Sequence, residues 1–327
     1  MFLITLIKKK LIKIYINLTT DKINIIKIPK KKFRTKKIKY YVIATKKKRG
    51  FFSLLLFVLN HLKYADKENL IPVIDMELHQ TLYNESKKMK GTRNSWEYFF
   101  KKVSKFNIIN IYKKENYLLC KDKNIFTKNN AFSPLLKETY EKYIRIDKKI
   151  LRKYLIFFKN KFKKNNILGV HFRGTDMKYG TNHPLPATKK QMLKIIENIK
   201  KNYKFDKIFL ITEDLNNFRF MKNTFKDQLL TINNFRSNKL KIFDINIRKY
   251  HRYKMGEEIL INALLLSKCS VIVSTQTGVS DFAKFINPKI IFFKINNGLN
   301  SKRIVYSLLK FKIKSILPES LSGFKDY

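Results

Sequence analysis

Cysteine is scarce: Cys120 and Cys269 are the only two in 327 residues, and no CxxC or Cys/His ligand spacing surrounds either. That excludes a disulfide framework and argues against a zinc site. Long apolar runs are missing as well. The opening Met1, Phe2, Leu3, Ile4, Thr5, Leu6, Ile7 is interrupted at once by Lys8, Lys9 and Lys10. It is too short to span a bilayer and has no basic stretch ahead of it, as a signal peptide would, so the expectation is a cytoplasmic protein. Acidic residues are few, 24 Asp and Glu against 71 Lys and Arg, giving a formal charge of +47. Neither an internal repeat nor a long low-complexity linker is present. With 44% hydrophobic and 29% charged residues, the chain is not a wholly disordered or multi-span one, and its length suits two compact domains.

The positive charge points to anionic partners such as nucleic acid, a membrane surface or phosphorylated ligands. Lys, Asn, Ile, Phe and Tyr are abundant throughout, however, so biased genome composition stands as a competing account of the charge. Residues 1–38 form a basic N-terminal arm. Two readings stand: peripheral attachment to an anionic membrane, or a solvated arm without a partner.

Beyond the arm the pattern turns globular. Residues 39–44 read as a short buried strand, 51–60 as a helix and 70–75 as a strand ending in Asp75. Residues 135–164 contain neither Gly nor Pro and read as one long helix leading into a second domain. The second half alternates: strand 167–172, helix 187–201, strand 207–212, helix 257–266, strands 271–275 and 289–295. Such alternation predicts an α/β class with a parallel sheet in the C-terminal half. Thr188 with Gln191 fits a capping box. Ligands of open α/β sheets bind beyond the carboxyl ends of the strands, which would bring residues 173–176, 213–214 and 274–278 to one crevice.

The most informative segment is the strand that ends in His171, Phe172, Arg173, Gly174, Thr175 and Asp176. An Arg offers a rigid fork of donors suited to a diphosphate. Taken by itself, the pattern is equally an Arg–Asp ion pair closing a strand–loop junction. It resembles the H-x-R-x-x-D signature of the fucosyltransferase superfamily, which includes α1,6-, nodulation and protein O-fucosyltransferases. Phe209, Leu210, Ile211, Thr212, Glu213 and Asp214 are similar to that family's strand ending in acidic residues. Residues 271–280 are similar to its late strand and small polar loop, and Arg49, Gly50, Phe51, Phe52 and Ser53 to its glycine-bearing loop.

The resemblance covers roughly residues 40–295 and implies a GT-B fold, two Rossmann-like domains facing a cleft. Residues 39–160 would be the acceptor domain and 161–327 the nucleotide-sugar-binding domain. It implies an inverting glycosyltransferase that moves fucose or a related sugar from a GDP-sugar to a glycan or lipid-linked acceptor, with no metal and no cofactor besides the donor. Arg173 would bind the diphosphate and stabilise the leaving group. Gly50, His171, Asp176, Asp214, Ser274, Thr275, Gln276 and Gly278 would complete the donor site, Asp214 on the guanosine side.

The pattern departs in three places. Where many α1,6-fucosyltransferases carry a second Arg, then a Lys and a Glu, this chain has Gly174, Met177 and Thr181. The acceptor-activating base is therefore sought among Asp75, Glu77, Glu85, Glu257 and Glu258, with Asp75 and Glu257 expected to be catalytic. Trp96 reads as core rather than as a sugar platform. Asp75, Met76 and Glu77 form a D-x-E that is not taken as a metal motif. Two alternatives remain, a catalytically silent sugar-binding relative and a basic nucleic-acid-binding protein. The latter rests on charge and aromatic content alone, and no specific nucleic-acid partner is expected.

Overall fold

The computed structural model describes residues 39–113, 116–127, 131–174, 177–238, 243 and 247–327. The basic arm 1–38 and Asp176 lie outside the described residues, so the expectations placed on them are not addressed by it.

Two parallel sheets organise the chain. The first has three strands, β1 (Tyr40–Ile43), β2 (Ile71–Ile74) and β3 (Tyr117–Leu119), in the order β2-β1-β3. Between β1 and β2 runs α1 (Phe51–Lys67), followed further along by the short α2 (Ile108–Tyr112). The sequence reading ended α1 at residue 60. It runs seven residues further because Leu62 and Ala65 remain buried beyond His61 and Asn60. A helix apolar on nearly every side belongs inside a core.

The single helix expected over 135–164 is broken. α3 (Lys137–Tyr143) ends at Ile144, which is extended, and Ile146 forms an antiparallel bridge with Phe100. α4 (Lys148–Phe157) then restarts with Asp147 as its N-cap, the Asp147 side chain accepting from Lys149 N at 3.1 Å. An Asp cap supplies the oxygen that an orphan helix N–H requires, so the break needs neither Gly nor Pro.

The second sheet has five parallel strands in the order β6-β5-β4-β7-β8. Its elements in chain order are β4 (Ile167–His171), α5 (Lys189–Asn202), β5 (Lys207–Ile211), α6 (Leu215–Phe225), β6 (Leu229–Leu230), α7 (His251–Leu266), β7 (Val271–Thr275), α8 (Gly278–Ile286), β8 (Ile291–Ile295) and α9 (Ile304–Ile316). The Thr188–Gln191 capping box is present at the start of α5. α7 begins six residues before the expected position, which moves Glu257 and Glu258 from a helix start to a helix interior.

One continuous hydrophobic cluster joins the two sheets. It runs from Tyr41 and α1 through α7 and α8 to Phe209 and Ile272, with Trp96 buried in it as expected. Phe52 of α1 stacks on Phe282 of α8 with centroids 4.6 Å apart. Each fully buried Phe or Leu in such a layer contributes about 1.5–3 kcal/mol. The helices between the sheets therefore fix how the strand ends of one half face the other.

Candidate functional site

The register of the second sheet brings three strand ends level. His171 pairs with Ile211 on one side and with Ser274 on the other. Phe172 N donates to Ile211 O at 2.9 Å, extending the pairing by one residue. Beyond that line the chain supplies Arg173 and Gly174 after β4, Glu213 and Asp214 after β5, and Gln276, Thr277 and Gly278 after β7. The strand ends are juxtaposed as expected from the sequence, with residues 175 and 176 outside the described residues.

Arg173 lies with Nε 3.4 Å from Glu213 Oε1, and the same oxygen accepts from Gly174 N at 3.0 Å. Its charge also reaches Tyr83 of the first half. Burial pushes the Tyr83 phenol above its ordinary range, and Arg173 opposes that shift.

His171 is buried at the end of β4, its Nδ1 3.0 Å from Thr277 Oγ1. Burial, and then the neighbouring Arg173 charge, hold this imidazole well below its usual pKa, so it is neutral near pH 7. Thr277 is also the N-cap of α8, in a capping box with Ser280. His171 thus ties β4 to the N-terminus of α8, a helix end whose N–H groups suit an anion. Gly278, the first residue of α8, is so close to α1 that a Cβ there would lie 3.1 Å from Phe52 Cβ. Gly50, the N-cap of α1, sits two residues before Phe52 on the same approach, with open space where a side chain would be.

Asp214 is buried and doubly engaged. Its Oδ1 accepts from Asn216 N at 2.9 Å and Asn217 N at 3.0 Å as the N-cap of α6, and Oδ2 lies 3.2 Å from Lys178 Nζ. A Cβ built on Gly174 would fall 2.4 Å from Asp214 Oδ2. The second arginine of the α1,6 pattern therefore has no room at position 174 while Asp214 holds its place.

Ser274 and Thr275 are buried at the end of β7. Ser274 Oγ donates to Thr275 O, whereas Thr275 Oγ1 has no hydrogen-bond partner among the described residues. A buried hydroxyl left so is costly, about 1–3 kcal/mol, unless a ligand completes it. Gln276 accepts from Lys294 Nζ and also contacts Asp281 in the first turn of α8. Burial raises the Asp281 carboxyl to about 6 against the opposing effects of Gln276 and Lys294.

The proposed bases are placed differently. Asp75 is fully buried. Its Oδ1 accepts from Glu77 N and Leu78 N and its Oδ2 from Tyr112 Oη at 2.8 Å, an arrangement that caps the turn after β2. Glu257 is buried within α7, accepting from Tyr253 Oη at 2.6 Å and pairing with Lys153 Nζ at 2.7 Å. Glu258 is clamped by the Arg248 guanidinium, and Glu85 accepts from Tyr253 N at 2.8 Å. Asp75 and Glu257, expected to be catalytic, are thus both buried and held by protein partners. Sequence reasoning gave no separate role to Thr277 or Lys178. The Thr277–Ser280 spacing, a capping pattern directly after a strand, was the signal for the first. Among the described residues, no group of three or more His, Cys, Asp and Glu side chains is arranged to hold a metal, and no helix is long and apolar enough to cross a membrane.

No family model matches this chain, and no curated protein matches it. Solved structures do. The chain is similar to the fucosyltransferase NodZ from Bradyrhizobium, with a TM-score of 0.54 at 14% identity over 80% of this chain and 98% of the other. It is similar to NodZ α1,6-fucosyltransferase co-crystallised with GDP, at TM-score 0.55 and 14% identity, covering 80% and 97%. The same enzyme soaked with GDP-fucose gives 0.54 and 14%, covering 80% and 98%. The likeness establishes the GT-B fold.

Proposed function

We propose that this protein is an inverting, metal-independent glycosyltransferase that takes fucose or a related sugar from a GDP-sugar and passes it to a glycan or lipid-linked saccharide in the cytoplasm. The observation that carries the reading is a convergence at the ends of β4, β5 and β7. The Arg173 guanidinium lies there beside the His171–Thr277 link to the N-terminus of α8, on the fold of enzymes whose structures were obtained with GDP and GDP-fucose.

In this reading the acceptor oxygen attacks the anomeric carbon while the bond from that carbon to the β-phosphate oxygen breaks. GDP leaves with the bonding electrons, and the acceptor proton passes to solvent or a nearby base. Negative charge grows on the β-phosphate. Arg173 and the α8 N–H groups would stabilise it as preorganised donors, with the neutral His171 keeping Thr277 and the helix end in place. Gln276 and Gly278 would line the sugar side, and Asp214 would support the guanosine side through α6.

A second reading, binding of a GDP-sugar without transfer, draws on one specific observation: four of the five candidate bases, Asp75, Glu85, Glu257 and Glu258, are committed to structural partners. Thermal shift measurements with GDP, UDP and ADP, followed by turnover of GDP-fucose in EDTA, separate the possibilities. GDP is expected to raise the melting temperature more than UDP or ADP, since a ligand bound only by the folded state stabilises it. Equal shifts would remove the donor assignment. A GDP shift without turnover favours the second reading, and turnover abolished by EDTA and restored by Mg²⁺ ends metal independence.

A further inference from the structure

α9 is docked on one face only. Ser307 is fully buried and donates to Tyr179 O at 2.8 Å. Phe311, one turn on, packs against Phe324 with centroids 5.4 Å apart and lies 5.7 Å from the Lys178 ammonium. Those positions, four residues apart, define the inner face. The opposite face carries Val305, Tyr306, Leu309, Ile313 and Ile316, which are 64%, 59%, 50%, 52% and 82% exposed. At 3.6 residues per turn these five fall in one stripe about 100° wide, with Lys310 and Lys312 on its two flanks. Leu299 before the helix and Leu321 beyond it are exposed too.

A single exposed Leu needs no explanation, but a contiguous apolar stripe does. The charges select its occupant. Between Asp281 and Glu319 the chain has no acidic residue and eight Lys or Arg, among them Lys302, Arg303, Lys310, Lys312 and Lys314 in and beside α9. A second copy meeting this face through its own α9 would bring lysine rows against lysine rows. An apolar stripe bordered by lysines instead matches the boundary between acyl chains and anionic headgroups. We propose that α9 lies in the interface of an anionic lipid bilayer, with Val305, Leu309, Ile313 and Ile316 entering the acyl boundary and Lys310 and Lys312 meeting the headgroups. This site is separate from the basic arm and does not rest on the glycosyltransferase reading.

The test uses the full chain with vesicles of phosphatidylcholine alone or with about 30% phosphatidylglycerol. An Ile316→Trp reporter is read against Trp96, which is buried and packed on Phe100. Its emission is expected to shift to the blue with anionic vesicles and not with neutral ones. The Leu309→Ser/Ile313→Ser double variant should lower the partition coefficient about tenfold or more, and Lys310→Glu/Lys312→Glu should do the same at low salt. Both should melt within a few degrees of the parent, because Leu309, Lys312 and Ile313 are exposed and the half-buried Lys310 gives up only its surface bond to Leu299 O. Unchanged binding by the double serine variant, with no blue shift of the reporter, overturns the proposal in favour of the arm. Equal binding to neutral vesicles removes its electrostatic half. A lipid-free oligomer that the serine variant dissolves, seen by sedimentation, makes the stripe a contact between copies and also overturns it.

Discussion

Gly174 and Asp214 occupy one another's space: a methyl group on the glycine would stand 2.4 Å from the carboxylate oxygen and 2.6 Å from the aspartate Cβ. The chain is bare at 174 because the aspartate from the neighbouring strand end is there, capping α6 and pairing with Lys178. Gly174→Ala should therefore destabilise the fold by about 1–3 kcal/mol. Asp214→Ala should cost about 1 kcal/mol through the lost cap alone, plus the Lys178 pair. The double variant should be less destabilised than the sum of the two. Additive denaturation free energies would show that the two residues do not compete.

Arg173→Lys and Arg173→Ala should both abolish the GDP-induced thermal shift while leaving the melting temperature within a few degrees. A lysine gives a mobile point charge where the guanidinium gives a fork. Loss of a preorganised donor at the leaving group should cost on the order of 3 kcal/mol in the barrier, about a hundredfold in turnover. Unfolding of Arg173→Ala, with turnover per folded molecule unaltered, would make the Arg173–Glu213 contact the residue's whole purpose.

Thr275→Val keeps the shape and removes the hydroxyl that has no partner among the described residues. Without ligand, its melting temperature should equal or exceed that of the parent, since an unmet buried polar group is gone. Its GDP shift should shrink. A clear loss of stability in the absence of nucleotide would mean that the hydroxyl is already satisfied within the protein.

Burial raises the Asp281 carboxyl from 3.8 to about 6. Between those values the folded state holds a proton that the unfolded state has released, so stability gained from this group is full below about pH 4 and is lost as pH rises through 6. At pH 7 the buried carboxylate then costs on the order of 3 kcal/mol. Asp281→Asn should raise the denaturation free energy at pH 7 and flatten its slope between pH 4 and 6. An unchanged slope would place the carboxylate in better-solvated surroundings.

Strand ends were legible because β4, β5 and β7 are short apolar runs that stop at polar residues, and parallel pairing brings such ends level. What escaped the sequence was set by distant partners. The start of α7 was read at residue 257, where the acidic pair precedes a hydrophobic run. It lies at His251, after a Tyr250 in the left-handed region (φ 57°), with the helix N-terminus satisfied by Glu85. No local pattern announces a cap delivered from another part of the chain. Asp75, Asp214 and Glu257 look like candidate site carboxylates in a list of residues, yet the geometry commits each to backbone N–H groups, a tyrosine or a lysine. The break before α4 was hidden because Ile144 turns extended to reach the Phe100–Ile146 bridge and Asp147 restarts the helix, without Gly or Pro.

The Glu85–Tyr253 bond spans 168 residues of chain. Closing so long a loop carries an entropic cost before the contact returns anything, and a fold rich in such closures acquires its order late and slowly. During synthesis, α7 emerges long after the segment that caps it, so the first half must already present Glu85 when the second half arrives. The two sheets should then unfold in a single transition, and a fragment beginning near residue 161 should lack a settled native state of its own.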